Sequence, residues 1–142
     1  MANAGASDHD SFEFSQWIVR SSPQNIRLVI AYRPPYSEEH RVPVNVHVFL
    51  TEFPEYLDSQ LLCKEQLLIT GDSNIHLDDP QDSDARKFSE LLEGLGLEQQ
   101  VDKPTHCDGR TLDLTMTRMS ECLVSRTPVV DQFIPDHSAV LC

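Results

Sequence analysis

The chain has 142 residues, of which 23 are acidic and 11 basic, giving a formal net charge of −12; that length suits about one domain with one sizeable core. Hydrophobic residues at 39% and charged residues at 24% match globular averages and exclude a disordered tail or a coiled coil. No run of about 18 apolar residues is present to span a membrane, and the basic start and apolar stretch of a signal peptide are missing, so the expected setting is cytoplasmic or nuclear, not secreted, with no membrane partner.

The first ten residues, MANAGASDHD, have no apolar period and read as a loose leader before a domain over 11–142. Phe12, Phe14 and Trp17 to Val19, then a turn-forming Ser21-Ser22-Pro23-Gln24-Asn25 and the run Ile26 to Tyr32, predict two strands in an antiparallel hairpin. Arg33-Pro34-Pro35-Tyr36 should stop the second strand, because consecutive prolines lack backbone donors. Val46, Phe49, Leu50, Phe53, Leu57 and Leu61 recur at three and four, predicting a helix over roughly 45–62 that Pro54 kinks or divides.

Gln66 to Thr70 reads as a buried strand delivering Gly71-Asp72 to a loop. The next helix carries the apolar stripe Phe88, Leu91, Leu92 and Leu95, with Asp84 as its expected cap and Gly94 and Gly96 near its end. Leu97 to Val101 is a short strand candidate. In Thr111 to Arg118, alternation puts Leu112, Leu114 and Met116 on one face and Thr111, Asp113, Thr115 and Thr117 on the other, predicting a half-buried strand. Leu123 to Val130 and Ser138 to Cys142 are two further strand candidates. Strands and helices mixed in this order imply an α/β layered sandwich.

The net charge weighs against a broad basic surface for nucleic acid, since neutralising phosphates supplies most non-specific affinity. Phosphate chemistry here would be local, with a metal supplying positive charge. Cys63, Cys107, Cys122 and Cys142 contain no CxxC pair and are expected to be free thiols rather than a zinc knuckle or a disulfide framework. The acidic cluster Asp78, Asp79, Asp82 and Asp84 reads as a solvated loop with a helix cap.

Four segments carry groups suited to chemistry. Gly71-Asp72-Ser73-Asn74 ends a strand, and in an extended loop Asp72 and Asn74 would project to one side, a carboxylate and an amide able to hold a hard cation's water or a phosphate oxygen. Taken alone, the same tetrapeptide also suits a plain strand-to-turn transition. Pro135-Asp136-His137 offers a metal ligand and a proton-handling imidazole in one loop, or simply a loop Asp and an exposed His. Asp113 is disfavoured in mid-strand by β propensity; on the threonine face it would either accept from an imidazole and fix its tautomer, or point to solvent. Tyr32 ends a strand, as a phosphate-binding phenol or a half-buried aromatic.

Together, Tyr32-Arg33-Pro34-Pro35, Gly71-Asp72-Ser73-Asn74-Ile75-His76, Pro104-Thr105-His106 with Thr111-Leu112-Asp113-Leu114, and Asp136-His137-Ser138 resemble, in that order, the endonuclease/exonuclease/phosphatase superfamily. More narrowly they are similar to the C-terminal portion of the endonuclease domain of non-LTR (LINE-type) retrotransposons, most closely from Gly71 to Arg118, where Asp79-Pro80, Asp84-Ala85, Phe88, Leu91-Leu92, Gly96-Leu97 and Val101 add to the likeness. The resemblance implies a two-sheet α/β sandwich that cleaves a phosphodiester of DNA with Mg²⁺ or Mn²⁺, with a reverse transcriptase domain downstream in a full-length element. It assigns Asp72 to the attacking water and the metal, Asn74 to phosphate positioning, His137 to the scissile phosphate, Asp113 to orienting His137, Asp136 to the metal site, and Tyr32 to a phosphate oxygen.

The family's first half holds an early Asn motif and a metal-ligand Glu, and neither occurs here; Glu13 lies in the later hairpin and is not promoted to that role. The expected fold is therefore an incomplete two-sheet α/β sandwich with an uncovered inner face, and the isolated chain should be weak or inactive. Ser73 replaces a usual Phe, losing apolar packing under the site, and Arg110 stands where a His is common. Three functional readings follow: an impaired metal-dependent DNA-nicking endonuclease, a non-catalytic fragment of that domain, and a superfamily phosphatase acting on a lipid or small phosphoester.

Overall fold

The structure is a computed structural model and describes residues 2–3, 9, 11–35, 45–125, 128–133 and 136–141. Its elements run β1 (Ala2–Asn3), β2 (Glu13–Val19), β3 (Ile26–Tyr32), α1 (Val46–Leu61), β4 (Gln66–Asp72), α2 (Ser83–Gly94), β5 (Leu97–Gln99), β6 (Asp113–Arg118), β7 (Val129–Phe133) and β8 (Ser138–Leu141). Six strands form one sheet in the order β1-β2-β3-β4-β6-β5, and β7 and β8 form a second. Among the described strands only β3 and β4 pair in parallel, joined through α1, as a parallel pair requires a crossover. The result is the α/β class and the incomplete two-sheet architecture expected. No described helix is long and apolar enough to cross a membrane.

Strand register sorts the main sheet into two faces. Gln16, Val29, Ile69 and Met116 stand in one row and Phe14, Ala31, Gly71 and Leu114 in the next, and these meet the helices. Phe49, Phe53 and Leu57 of α1 and Phe88 and Leu92 of α2 complete that core, with Phe12 edge-on to Phe49 and Phe53 at 5.8 and 5.2 Å. The opposite face carries the rows Trp17-Leu28-Leu68-Thr117, Ser15-Ile30-Thr70-Thr115 and Glu13-Tyr32-Asp72-Asp113. Ile30 and Tyr32 are 42% and 43% exposed there, so this face is open over β3, while its β6 positions Thr115 and Thr117 are buried.

α1 is one continuous helix through Pro54, which forgoes the hydrogen bond its missing N–H would make. Buried Phe53, Tyr56 and Leu57 hold the segment against the sheet. At its C-terminal end, Arg118 from β6 donates to the carbonyls of Gln60, Leu61 and Cys63 at 3.3, 3.0 and 3.1 Å and pairs with Glu121, whose other oxygen accepts from the Leu67 amide at 3.0 Å.

Several local expectations are corrected. Asp82, not Asp84, caps α2, accepting from the amides of Asp84 and Ala85 at 2.8 and 3.3 Å, while Asp84 sits in the first turn facing Lys87. β6 begins at Asp113 and is buried on both faces: Thr115 is 4% and Thr117 1% exposed, the latter accepting from the Gln100 side-chain Nε2 at 3.0 Å, so the threonine face is not a solvent face. β5 stops at Gln99 and β7 starts only at Val129. In the stretch expected to be a loose leader, Ala2–Asn3 pairs with Trp17 and Ile18 of β2. Tyr36, Pro135 and Cys142 lie outside the described residues.

Candidate active site

β4 ends at Asp72 and β6 begins at Asp113, and antiparallel register sets these two residues side by side. The chain leaves β4 in an Asx turn. Asn74 adopts φ +48, its backbone N–H donates to Asp72 Oδ1 at 2.8 Å, and its side-chain nitrogen donates to Asp72 Oδ2 at 3.3 Å and to the Arg33 carbonyl at 2.7 Å. The expected extended loop is therefore replaced by a left-handed turn, which Asn tolerates better than most residues. Asn74 aims Asp72 rather than standing beside it.

Two further residues hold this turn. Arg33, 6% exposed, donates to the carbonyls of Ser73 and Asn74 at 3.1 and 3.2 Å and lies 5.6 Å over the Phe49 ring. Ser73, 1% exposed, donates through Oγ to the Leu112 carbonyl at 3.1 Å and accepts from the Ile75 amide at 3.3 Å. The apolar packing a Phe would give is replaced here by hydrogen bonds that tie the turn to the strand bearing Asp113. Arg110 lies 3.5 Å from Asp78 and 3.6 Å from Asp79, and Asp78 also accepts from the Thr111 amide at 2.8 Å, so these two acids brace a loop rather than point freely into water.

The third segment arrives with His137, just before β8. Its Nδ1 lies 3.1 Å from Asp113 Oδ2 and its Nε2 3.8 Å from Asp72 Oδ2, so one imidazole links both carboxylates. The loop carrying it is clasped to a neighbouring one by two amide bonds, Cys107 to the Asp136 carbonyl and Ser138 to the Thr105 carbonyl, each 2.8 Å. His106 bridges His137 in that clasp, with ring centroids 5.1 Å apart and edge-on. Buried Thr105 accepts from the amides of both Leu112 and Asp113 through Oγ1, at 3.2 Å each.

Of the sequence-predicted residues, Asp72, Asn74, Asp113 and His137 thus gather at one end of the sheet. Tyr32 stands in register with Asp72 on the same face. Asp72, Asp113 and His137 present ligand atoms within 4.8 Å of one another, and so, separately, do His106, Asp136 and His137. The two expected metal ligands, Asp72 and Asp136, fall in these different groups, joined through His137. His106 enters the sequence reading only through the Pro104-Thr105-His106 motif and without a role of its own, because a histidine in such a loop shows no periodicity to betray what it touches. Cys63, Cys107 and Cys122 are free, as expected.

Electrostatics moves Asp72 and His137 in the same direction. Burial, helped by the Asp113 charge and opposed by the Asn74 bond and the two histidines, holds the Asp72 carboxyl above its ordinary range. For His137, burial pulls downward but is outweighed by the Asp113 hydrogen bond and by the charges of Asp113, Asp72 and Asp136, and the imidazole titrates above its ordinary value. A raised folded-state pKa means that the folded chain binds the Asp72 proton more tightly than the unfolded one, so this contribution to stability is full at low pH and lost as pH rises through the folded value. Charged Asp72 therefore destabilises the metal-free fold at neutral pH. In EDTA at pH 7, Asp72→Asn is expected to melt at or above the wild-type temperature, with the gain vanishing as pH falls through the carboxylate range; a clear drop in melting temperature at pH 7 would contradict this.

No family model matches the chain, and no curated protein matches it. Among solved structures, the chain is similar to a Staphylococcus aureus beta toxin, at 11% identity and a TM-score of 0.50, with 76% of this chain and 42% of that one covered. It is also similar to sphingomyelinase C from Streptomyces griseocarneus, at 10% identity and a TM-score of 0.50, with 91% of this chain and 53% of that one covered. The chain thus spans about half the length of these structures. The likeness establishes the fold, an endonuclease/exonuclease/phosphatase-like α/β sandwich.

Proposed function

We propose that the chain hydrolyses phosphodiesters with a hard divalent cation, Mg²⁺ or Mn²⁺, as the DNA-nicking endonuclease of a non-LTR retroelement. The observation that carries the chemistry is the convergence of Asp72, Asp113 and His137, from three separate parts of the chain, into one hydrogen-bonded group at the sheet end. The substrate class rests on the retroelement-like string from Gly71 to Arg118.

Asp72, kept basic by its raised pKa and aimed by Asn74, orients the attacking water and takes its proton. Asp113 accepts from His137 Nδ1–H and so fixes the tautomer, leaving Nε2 to meet a phosphate oxygen. The raised pKa keeps more of His137 protonated, suiting it to the charge that builds on the phosphate. Tyr32, in the same row, supplies a phenol to that oxygen shell. Asp72 and Asp113 are oxygen donors side by side, the type of set a hard cation prefers, and like charges so close are relieved by one. Such a cation would neutralise phosphate charge and lower the pKa of water.

Incubation with supercoiled plasmid tests the reading, because a single cut relaxes the whole circle and reveals even a slow enzyme. Slow nicking that needs Mg²⁺ or Mn²⁺, stops with chelator and disappears in Asp72→Ala is the expected result. Plasmid left equally intact by wild type and variant favours the non-catalytic reading instead. Hydrolysis of a phospholipid such as sphingomyelin without nicking would move the substrate from DNA to a lipid phosphodiester.

A further inference from the structure

We propose that His106, Asp136 and His137 form a second metal site, selective for a borderline transition ion such as Zn²⁺ over Mg²⁺. Ion binding here stands independently of the hydrolytic reading. One ligand atom from each residue lies within 4.8 Å of the others. Two imidazoles and a carboxylate suit Zn²⁺, Ni²⁺ or Cu²⁺, whereas Mg²⁺ prefers oxygen and gives up its water reluctantly.

The backbone holds these donors together before any ion arrives. His106 and His137 are partners in a β-bridge, and the Cys107–Asp136 and Thr105–Ser138 amide bonds at 2.8 Å clasp their loops. Zn–N distances of about 2.1 Å at tetrahedral angles put ligand atoms roughly 3.4 Å apart. The donors, within 4.8 Å of one another, therefore have to close by at most about 1.4 Å. Asp136 is exposed and both histidines are half-buried, so an ion can enter from solvent.

Each imidazole also has a carboxylate behind it. His137 Nδ1 faces Asp113 Oδ2 at 3.1 Å, so its Nε2 carries the lone pair when the ring is neutral. His106 Nδ1 accepts from the Asp108 amide at 3.2 Å and lies 3.4 Å from Asp108 Oδ2. When Nε2 of His106 ligates an ion, its proton moves to Nδ1 and the Asp108 carboxylate becomes the acceptor. Carboxylates placed this way orient and strengthen histidine ligands in metal sites. An ion bound here occupies His137 Nε2, the atom proposed to meet the phosphate, so Zn²⁺ would oppose the Mg²⁺-supported reaction.

The test uses Zn²⁺ and Co²⁺ alone on the full chain. Calorimetry should show one ion bound, and imidazole ¹⁵N spectra of the wild type should show His106 and His137 shifting together. His106→Gln and Asp136→Asn should each weaken binding tenfold or more, with unchanged circular dichroism, while Cys107→Ser and Asp72→Asn leave it intact. A Co²⁺–thiolate absorption band lost in Cys107→Ser would overturn the proposal in favour of the rival His106, Cys107 and Asp108 group. Binding that survives His106→Gln but fails in Asp72→Asn would overturn it too, placing the ion between the two carboxylates. So would histidine signals that ignore the ion.

Discussion

His137→Ala is expected to lower metal-dependent nicking by about a hundredfold or more, the range for losing a proton-handling or charge-stabilising group at a reacting phosphate. The side chain is 35% exposed and packs into no hydrophobic core, so the loss should come without unfolding. Asp113→Asn separates positioning from chemistry. It leaves an amide oxygen that can still accept but removes the charge that, with the charges of Asp72 and Asp136, holds the His137 pKa above its ordinary value. The imidazolium then loses its proton at lower pH, so the alkaline limb of the rate profile, where activity falls as His137 deprotonates, should move to lower pH in Asp113→Asn. Rates measured from pH 5.5 to 9 check this, and an unmoved limb with a uniformly lower rate would mean that Asp113 does not act through His137.

Gly71→Ala should be the most damaging single substitution for the fold. Gly71 has φ +140, and a Cβ there would lie 1.7 Å from the Ala31 carbonyl oxygen and 2.7 Å from its carbon. Those atoms are backbone in the paired strand, so no rotamer change relieves the clash; the β3–β4 ladder itself must open. An effect of roughly 4 kcal/mol is expected, at the upper end for point mutations and comparable to the whole stability of a small domain. Urea unfolding followed by far-ultraviolet circular dichroism measures it. A midpoint within error of wild type would show that the strands part there at little cost. The glycine lets the two strands close up just before Asp72, so the residue that stabilises the sheet also sets where the carboxylate emerges.

Much of the frame was legible because periodicity reports burial. The hairpin, both helices and β4 follow from apolar spacing, and the helix stripe at Phe49, Phe53 and Leu57 meets the sheet as the spacing requires. Asp113 was legible as a carboxylate that a strand would not otherwise select. What escaped depends on contacts distant in sequence. Thr115 and Thr117 read as a solvent face, since nothing local announces that both sides of β6 are covered. Asp82 and Asp84 are equally good caps until the first helical residue is fixed, and tertiary packing fixes it. The Asn74 turn was hidden because Asp72 and Asn74 suit a ligand-holding loop and an Asx turn alike. Arg33 and Arg118 lie in segments the sequence marks, but nothing local announces that their donors gather scattered carbonyls.

Thr105 gives the site its mechanical character. Its hydroxyl holds the start of the strand bearing Asp113, and its carbonyl holds the amide next to His137. A fluctuation that moves the backbone of Asp113 away from that of His137 must stretch hydrogen bonds to this one buried residue. The two backbones that carry the dyad are therefore gauged from one point, and their separation changes with the slow opening of loops, while side-chain rotamers move faster on top of it.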